Sequence, residues 1–134
     1  MLFLESLAKE RLKHPEAKIC AIFHSYATYG IWNALAEYKK KPHKYDLIRL
    51  DKIILLGSVI SRKADWSIYP DIEVINFVGT KDRVSGLARF YGMDNSGKKG
   101  FKIKAPNLTQ YYTRWKHSDF VLPENYEFIR DRII

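Results

Sequence analysis

The sequence predicts an α/β fold: a mostly parallel sheet of about four strands with helices on both faces, in three layers. Three observations predict it. Helical and strand patterns alternate along the chain. The strand-like runs are continuously apolar rather than alternating, the pattern of strands covered on both faces. The chain has 134 residues, 46% of them hydrophobic. That is enough for one core, and residues 1–134 read as a single domain.

The elements follow in order. Residues 2–14 form an amphipathic pattern, with Leu4, Leu7, Ala8 and Leu12 on one stripe. His14-Pro15 ends it, because the residue before proline is pushed out of the helical region. AKICAIF (17–23) reads as a strand buried on both faces, which makes Cys20 a buried, inert thiol. Ala27, Ile31, Ala34, Leu35 and Tyr38 then repeat at helical spacing. That helix closes in Lys39-Lys40-Lys41, cations suited to a helix C-terminus, and Pro42 stops it. DKIILLGSVI (51–60) and IEVINFVGT (72–80) read as two more buried strands. Residues 83–91 are weakly helical. MDNSGKKGFKIKAPN (93–107) reads as a solvated loop punctuated by Gly97, Gly100 and Pro106. LTQYYTRW (108–115) is rich in strand formers. PENYEFIRDRII (123–134) starts with proline at a plausible first helical position and closes as a helix. Trp32, Trp66 and Trp115 read as core or pocket wall.

Composition narrows the function classes. No apolar run approaches the ~18 residues of a membrane helix. Charges from Glu5 onward break the order of a signal peptide. One cysteine forms no internal disulfide, which fits a reducing, cytoplasmic setting. There are 23 basic and 15 acidic residues, a formal charge of +8, which raises the prior for polyanions. The excess is spread over both halves, however. Its densest group is Lys98, Lys99, Lys102 and Lys104. No nucleic-acid motif accompanies it, so a basic nucleic-acid-binding domain ranks last. No G-x-G-x-x-G follows the first strand, which removes a dinucleotide-binding reading.

The most informative junction is Phe23-His24-Ser25-Tyr26-Ala27-Thr28. A strand runs into a helix with almost no loop, and Ser25 sits at the turn. Two readings of Ser25 stay open here: a helix N-cap, or a nucleophile raised above the sheet. A sharp elbow favours small residues two before and two after the serine. Ala27 complies and Phe23 does not. Asp82 follows the third strand in Val78-Gly79-Thr80-Lys81-Asp82, and His117 follows the fourth in Trp115-Lys116-His117-Ser118-Asp119. Sites in parallel sheets form at the carboxyl ends of strands, where all three residues fall. Asp46, Asp65 and Asp119 compete for the acid role. Ser58 competes as nucleophile or pocket residue without a following helix. His24 reads as a packing or pocket residue beside the elbow.

With FHSYAT, DKIILLGSV, NFVGTKDRV and KHSDF in the order serine, acid, histidine, the chain resembles the C-terminal half of the α/β-hydrolase superfamily. The resemblance implies a serine hydrolase acting on an ester, thioester or amide. Ser25 would be the nucleophile, His117 the general base and then acid, and Asp82 the group orienting the imidazole. The Tyr26 N–H would donate to the oxyanion. It implies no metal and no organic cofactor. The loop that supplies a second oxyanion donor in that superfamily belongs to the absent half. Without that half, the 17–23 strand becomes a sheet edge, to be covered by a second copy, a separate polypeptide carrying the missing half, or a rearranged helix, for which residues 2–14 are one candidate. The alternative is a catalytically degenerate module of the same fold that serves in protein association.

Overall fold

A computed structural model describes residues 2–41, 46, 49–84 and 93–134. Four strands form one sheet: β1 (Cys20–His24), β2 (Lys52–Leu56), β3 (Glu73–Gly79) and β4 (Leu108–Thr113). The spatial order is β1-β2-β3-β4, and every pairing is parallel. The register pairs Cys20 with Lys52, Lys52 with Glu73, and Val74 with Leu108. Parallel neighbours need a crossover between them, so the carboxyl ends of all four strands share one rim.

The central strands explain the two-sided burial. In β2, Ile53 and Leu55 face one layer while Ile54 and Leu56 face the other, as successive side chains must in a pleated strand. The first layer holds α1 (Leu2–Lys13) and α2 (Tyr26–Lys39). Leu7, Ile31, Leu35, Trp66, Val74 and Phe101 pack there with Ile53 and Leu55. The second layer holds Phe77, Phe120 and Ile129, the last from α4 (Tyr126–Ile133). This is the expected three-layer α/β architecture. The tryptophans lie within it: Trp66 is fully buried against Trp32, and Trp115 packs edge-on to Phe120 and Phe128.

Element boundaries differ from the pattern in instructive ways. β1 is not covered on both faces: Ile22 is 54% exposed and Cys20 is exposed, because this strand has one neighbour only. The expectation of a buried Cys20 is therefore corrected. Partial desolvation still pushes its thiol up, so the thiolate is scarce. On α1, Leu7 is buried but Leu12 is 70% exposed; the apolar stripe is longer than the surface that receives it. On α2, Thr28 is buried with Ile31 and Leu35, whereas Ala27 is exposed. β2 stops at Leu56 because Gly57 turns to φ +57. The last segment opens as a 3-10 turn at Pro123–Asn125 before α4. Pro42 and residues 85–91 of the weak helical pattern lie outside the described residues.

The 93–107 segment is not a solvated loop throughout. It contains a helical turn, α3 (Ser96–Lys99), which follows the buried Asn95 and itself buries Ser96 and Gly97. Its backbone bonds inward: Asp94 N–H to the Val59 carbonyl at 3.0 Å and Gly97 N–H to the Ser58 carbonyl at 2.7 Å. Asn76, on β3, donates to the Ser96 carbonyl. Buried backbone groups need such partners, and this segment finds them on the strand ends.

Asp51 ties α1 to the start of the sheet. Its carboxylate accepts from the Ile19 N–H at 2.7 Å and from the Arg11 guanidinium at 3.3 Å. Burial pushes the Asp51 carboxyl up, but these donors together outweigh it and hold the group below its ordinary value. A carboxylate depressed by folding stabilises the fold above its ordinary value, and that contribution drains away as pH falls through the depressed one. Asp51→Ala is expected to cost about 1–2 kcal/mol at neutral pH, because it strands two donors. Urea denaturation checks this, and the gap between wild type and variant should close in acid.

Candidate active site

Ser25 stands between β1 and α2 with φ 58° and ψ −126°. Among the described residues it is the one non-glycine residue with positive φ. Such a conformation costs of order 1–3 kcal/mol and persists only where surrounding bonds over-determine it. Those bonds are present. The Ser25 N–H donates to the Leu56 carbonyl at 3.0 Å. The Ser25 carbonyl accepts from the Thr28 N–H at 3.0 Å and from the Thr28 hydroxyl at 2.6 Å. The same hydroxyl accepts from the Val59 N–H at 3.1 Å, so buried Thr28 pins the elbow to the chain after β2.

Ser25 occupies the N-cap position of α2, but its side chain makes no capping bond to the helix. Instead the Ser25 hydroxyl lies 2.9 Å from His117 Nε2. The opposite ring nitrogen, Nδ1, lies 2.7 Å from Asp82 Oδ2. A carboxylate only accepts, so Nδ1 carries a proton; in the neutral ring, Nε2 is then the acceptor for the serine O–H. The structure thus brings together the three residues singled out in the sequence. Asp82 is fully buried and His117 is 16% exposed. A polar chain shut away from water at one end and open at the serine end keeps the ring's orientation fixed.

Three backbone stitches hold these groups in place. Thr80 N–H donates to the Thr113 carbonyl, and Lys81 N–H to the Trp115 carbonyl, joining the segment after β3 to the segment after β4. Asp82 N–H turns back on the Gly79 carbonyl at 2.9 Å. His24 Nε2 donates to the His117 backbone carbonyl at 3.2 Å. Its ring also lies 4.8 Å from the His117 ring, tilted by 35°. His24 therefore packs beside the site and locates His117 from the β1 side. His117 itself opens a short 3-10 helix whose Phe120 is buried beneath the sheet.

The other candidates separate from the site. Ser58 is fully buried under α3, and its hydroxyl accepts from Ser96 at 2.7 Å, so it is not a pocket residue. Asp65 binds Ser67, and Asp119 accepts from the Lys116 N–H at 2.8 Å. Asp46 is exposed. Phe23, the oversized residue before the elbow, is absorbed by the α1 layer, edge-on to Phe3 at 5.6 Å. Tyr26 opens α2, so its N–H has no acceptor within the helix and sits at the positive end of the helix dipole.

Two glycines make room at the site: Gly79, which the sequence marks only as the turn before Asp82, and Gly57. A Cβ on Gly57 would lie 3.0 Å from the His117 ring and 3.3 Å from Asp82 Oδ2. A Cβ on Gly79 would lie 2.6 Å from the Trp115 carbonyl oxygen. The available signal was positional: each glycine ends a buried strand. Among the described residues, no group of three or more His, Cys, Asp or Glu side chains is placed to hold a metal ion. No family model, curated protein or solved structure significantly matches the chain.

Strain at the elbow is open to a direct test. Ser25→Gly relieves the positive-φ cost but adds freedom to the unfolded chain, for an expected net gain of about 1 kcal/mol. Ser25→Ala, which keeps the strain, is expected to leave stability unchanged within about 0.5 kcal/mol. Chemical denaturation of both variants beside wild type reads the difference.

Proposed function

We propose that the protein is a serine hydrolase, related to the α/β-hydrolase superfamily, that cleaves an ester, thioester or amide through an acyl-enzyme on Ser25. One observation carries the reading: the continuous hydrogen-bonded chain from the Ser25 hydroxyl through His117 to buried Asp82, with the hydroxyl free of capping. Nucleophile, base and orienting group within hydrogen-bond reach are what acyl transfer needs.

In the proposed reaction, Ser25 Oγ attacks the carbonyl carbon as its proton passes to His117 Nε2. Asp82 stabilises the resulting imidazolium and keeps the ring from turning. Negative charge moves onto the carbonyl oxygen, where the Tyr26 N–H would meet it. The bond to the leaving alcohol, thiol or amine then breaks, and His117 returns the proton to that group. Water attacks the acyl-enzyme with His117 again as base. The carboxylic acid departs and Ser25 recovers its proton. Loss of one oxyanion donor costs roughly 10²–10³ in rate in well-studied enzymes, so a single-donor site would be slow unless substrate or partner supplies a second.

The exposed β1 edge favours a companion reading in which the module associates through that edge. Ile22 lies between two apolar grooves, one formed with Phe3, Phe23 and Ile31, the other with Leu56, Phe120 and Ile129. Unprotected apolar edges pair readily, and a second copy of the chain is the simplest cover. The single cysteine supports a reducing, cytoplasmic setting. No described helix is long and apolar enough to cross a membrane.

A fluorophosphonate probe is expected to label the folded protein at Ser25. Ser25→Ala should abolish labelling, and Asp82→Asn should slow it by about 10⁴, the cost of losing the correct tautomer in a comparable triad. Folded protein that resists the probe would remove the catalytic reading. Light scattering at micromolar concentration tests the edge separately: a dimer mass that Ile22→Lys reduces to a monomer supports pairing, whereas a wild-type monomer counts against it.

A further inference from the structure

A cavity of about 790 Å³ lies against His117 on the rim of the sheet. Its walls carry Lys81, Arg83, Lys98 and Lys116. We propose that this cavity binds an anionic group, a carboxylate or phosphate, on the substrate whose carbonyl Ser25 attacks. The inference rests on the serine hydrolase reading and specifies its substrate class.

The cations are uncompensated where they stand. None of the four forms an ion pair with a described carboxylate. The nearest acids in sequence, Asp82, Asp94 and Asp119, are occupied elsewhere, Asp94 by the Arg62 and Asn95 backbone N–H groups. Asp82 is fully buried against His117, and the Asp119 carboxylate accepts from the Lys116 backbone N–H. Lys81 adjoins Asp82 in the chain and Lys116 adjoins His117, so the turns that deliver the acid and the imidazole also deliver charge to the rim. Lys98 arrives from a third direction, on α3, held inward by Asn95, Ser96 and Gly97. Of the lysine group noted in the sequence, Lys98 alone lines this cavity. A concave wall bearing one sign of charge focuses its field and raises the local concentration of anions.

The chemistry leaves two sources for the anion: the acyl side or the leaving-group side. Two matched pairs separate them. 4-Nitrophenyl hexanoate against the mono-4-nitrophenyl ester of hexanedioate varies charge on the acyl side at constant chain length. S-Butanoylpantetheine against its 4′-phosphate varies it on the leaving side. At low ionic strength, kcat/KM is expected to favour the anionic member of at least one pair by about tenfold, and that pair names the side. Lys81→Glu and Lys116→Glu, both at exposed positions, should each reduce that ratio to within about twofold, and salt at about 0.5 M should do the same to wild type. Ratios within twofold for both pairs in the wild type would overturn the proposal while leaving fluorophosphonate labelling, and hence the hydrolase reading, intact. If labelling fails, calorimetric titration of Ser25→Ala protein with S-butanoylpantetheine and its 4′-phosphate, and with the two nitrophenyl esters, still decides. Tighter binding of an anionic member, lost in Lys81→Glu, supports an anion site. Equal binding within both pairs, or none, overturns it.

Discussion

The parallel hydrogen-bond ladder is the constraint from which the rest follows. Because β1, β2, β3 and β4 all run the same way, every segment leaving a strand at its carboxyl end emerges on one rim. Ser25 leaves β1, Gly57 leaves β2, Asp82 follows β3 and His117 follows β4. The ladder therefore converts residues separated by 35 and 92 positions into hydrogen-bonded neighbours. Reversing any one strand would send its residue to the opposite end of the sheet.

Convergence alone does not yield a geometry a proton can cross. The distances of 2.7 and 2.9 Å depend on close backbone approach at the strand ends. Gly57 leaves the space that the His117 ring occupies, and Gly79 admits the Trp115 carbonyl. Thr28 and the Leu56 carbonyl hold Ser25 in a conformation its Cβ disfavours. The hydrogen-bonded chain is thus built from strain and missing side chains as much as from its three polar side chains. The stability of β2 and β3, buried on both faces, supports that strain.

The same rim concentrates charge. Turns at strand ends are exposed and rich in polar residues, and here their cations surround a cavity that their acids do not neutralise. At the other extreme of polarity, β1 presents Ile22 at an edge with a single neighbour. One face of the molecule thus gathers cations around a cavity and one edge exposes an apolar side chain. Both follow from where the sheet stops.

Much of this was legible in the chain. Uninterrupted apolar runs marked β2 and β3, because two-sided burial leaves no polar alternation. Helical spacing marked α2, and position after a strand marked Ser25, Asp82 and His117. Other features were not legible, because they depend on neighbours distant in sequence. AKICAIF has a buried strand's composition, yet Cys20 and Ile22 are exposed, since an edge position is a property of the sheet rather than the segment. The glycine-rich stretch around α3 has a loop's composition, yet it is anchored by bonds to Ser58, Val59 and Asn76. Ser25 reads in sequence as cap or nucleophile alike; that its hydroxyl bonds His117 rather than its own helix is a contact only the fold supplies. Periodicity and composition record each residue's local environment, and so they determined the elements and the order of the three candidate side chains. Which strand lies at the edge, which glycine makes room and which carboxylate meets the imidazole are contacts across the fold, and the tertiary structure decided them.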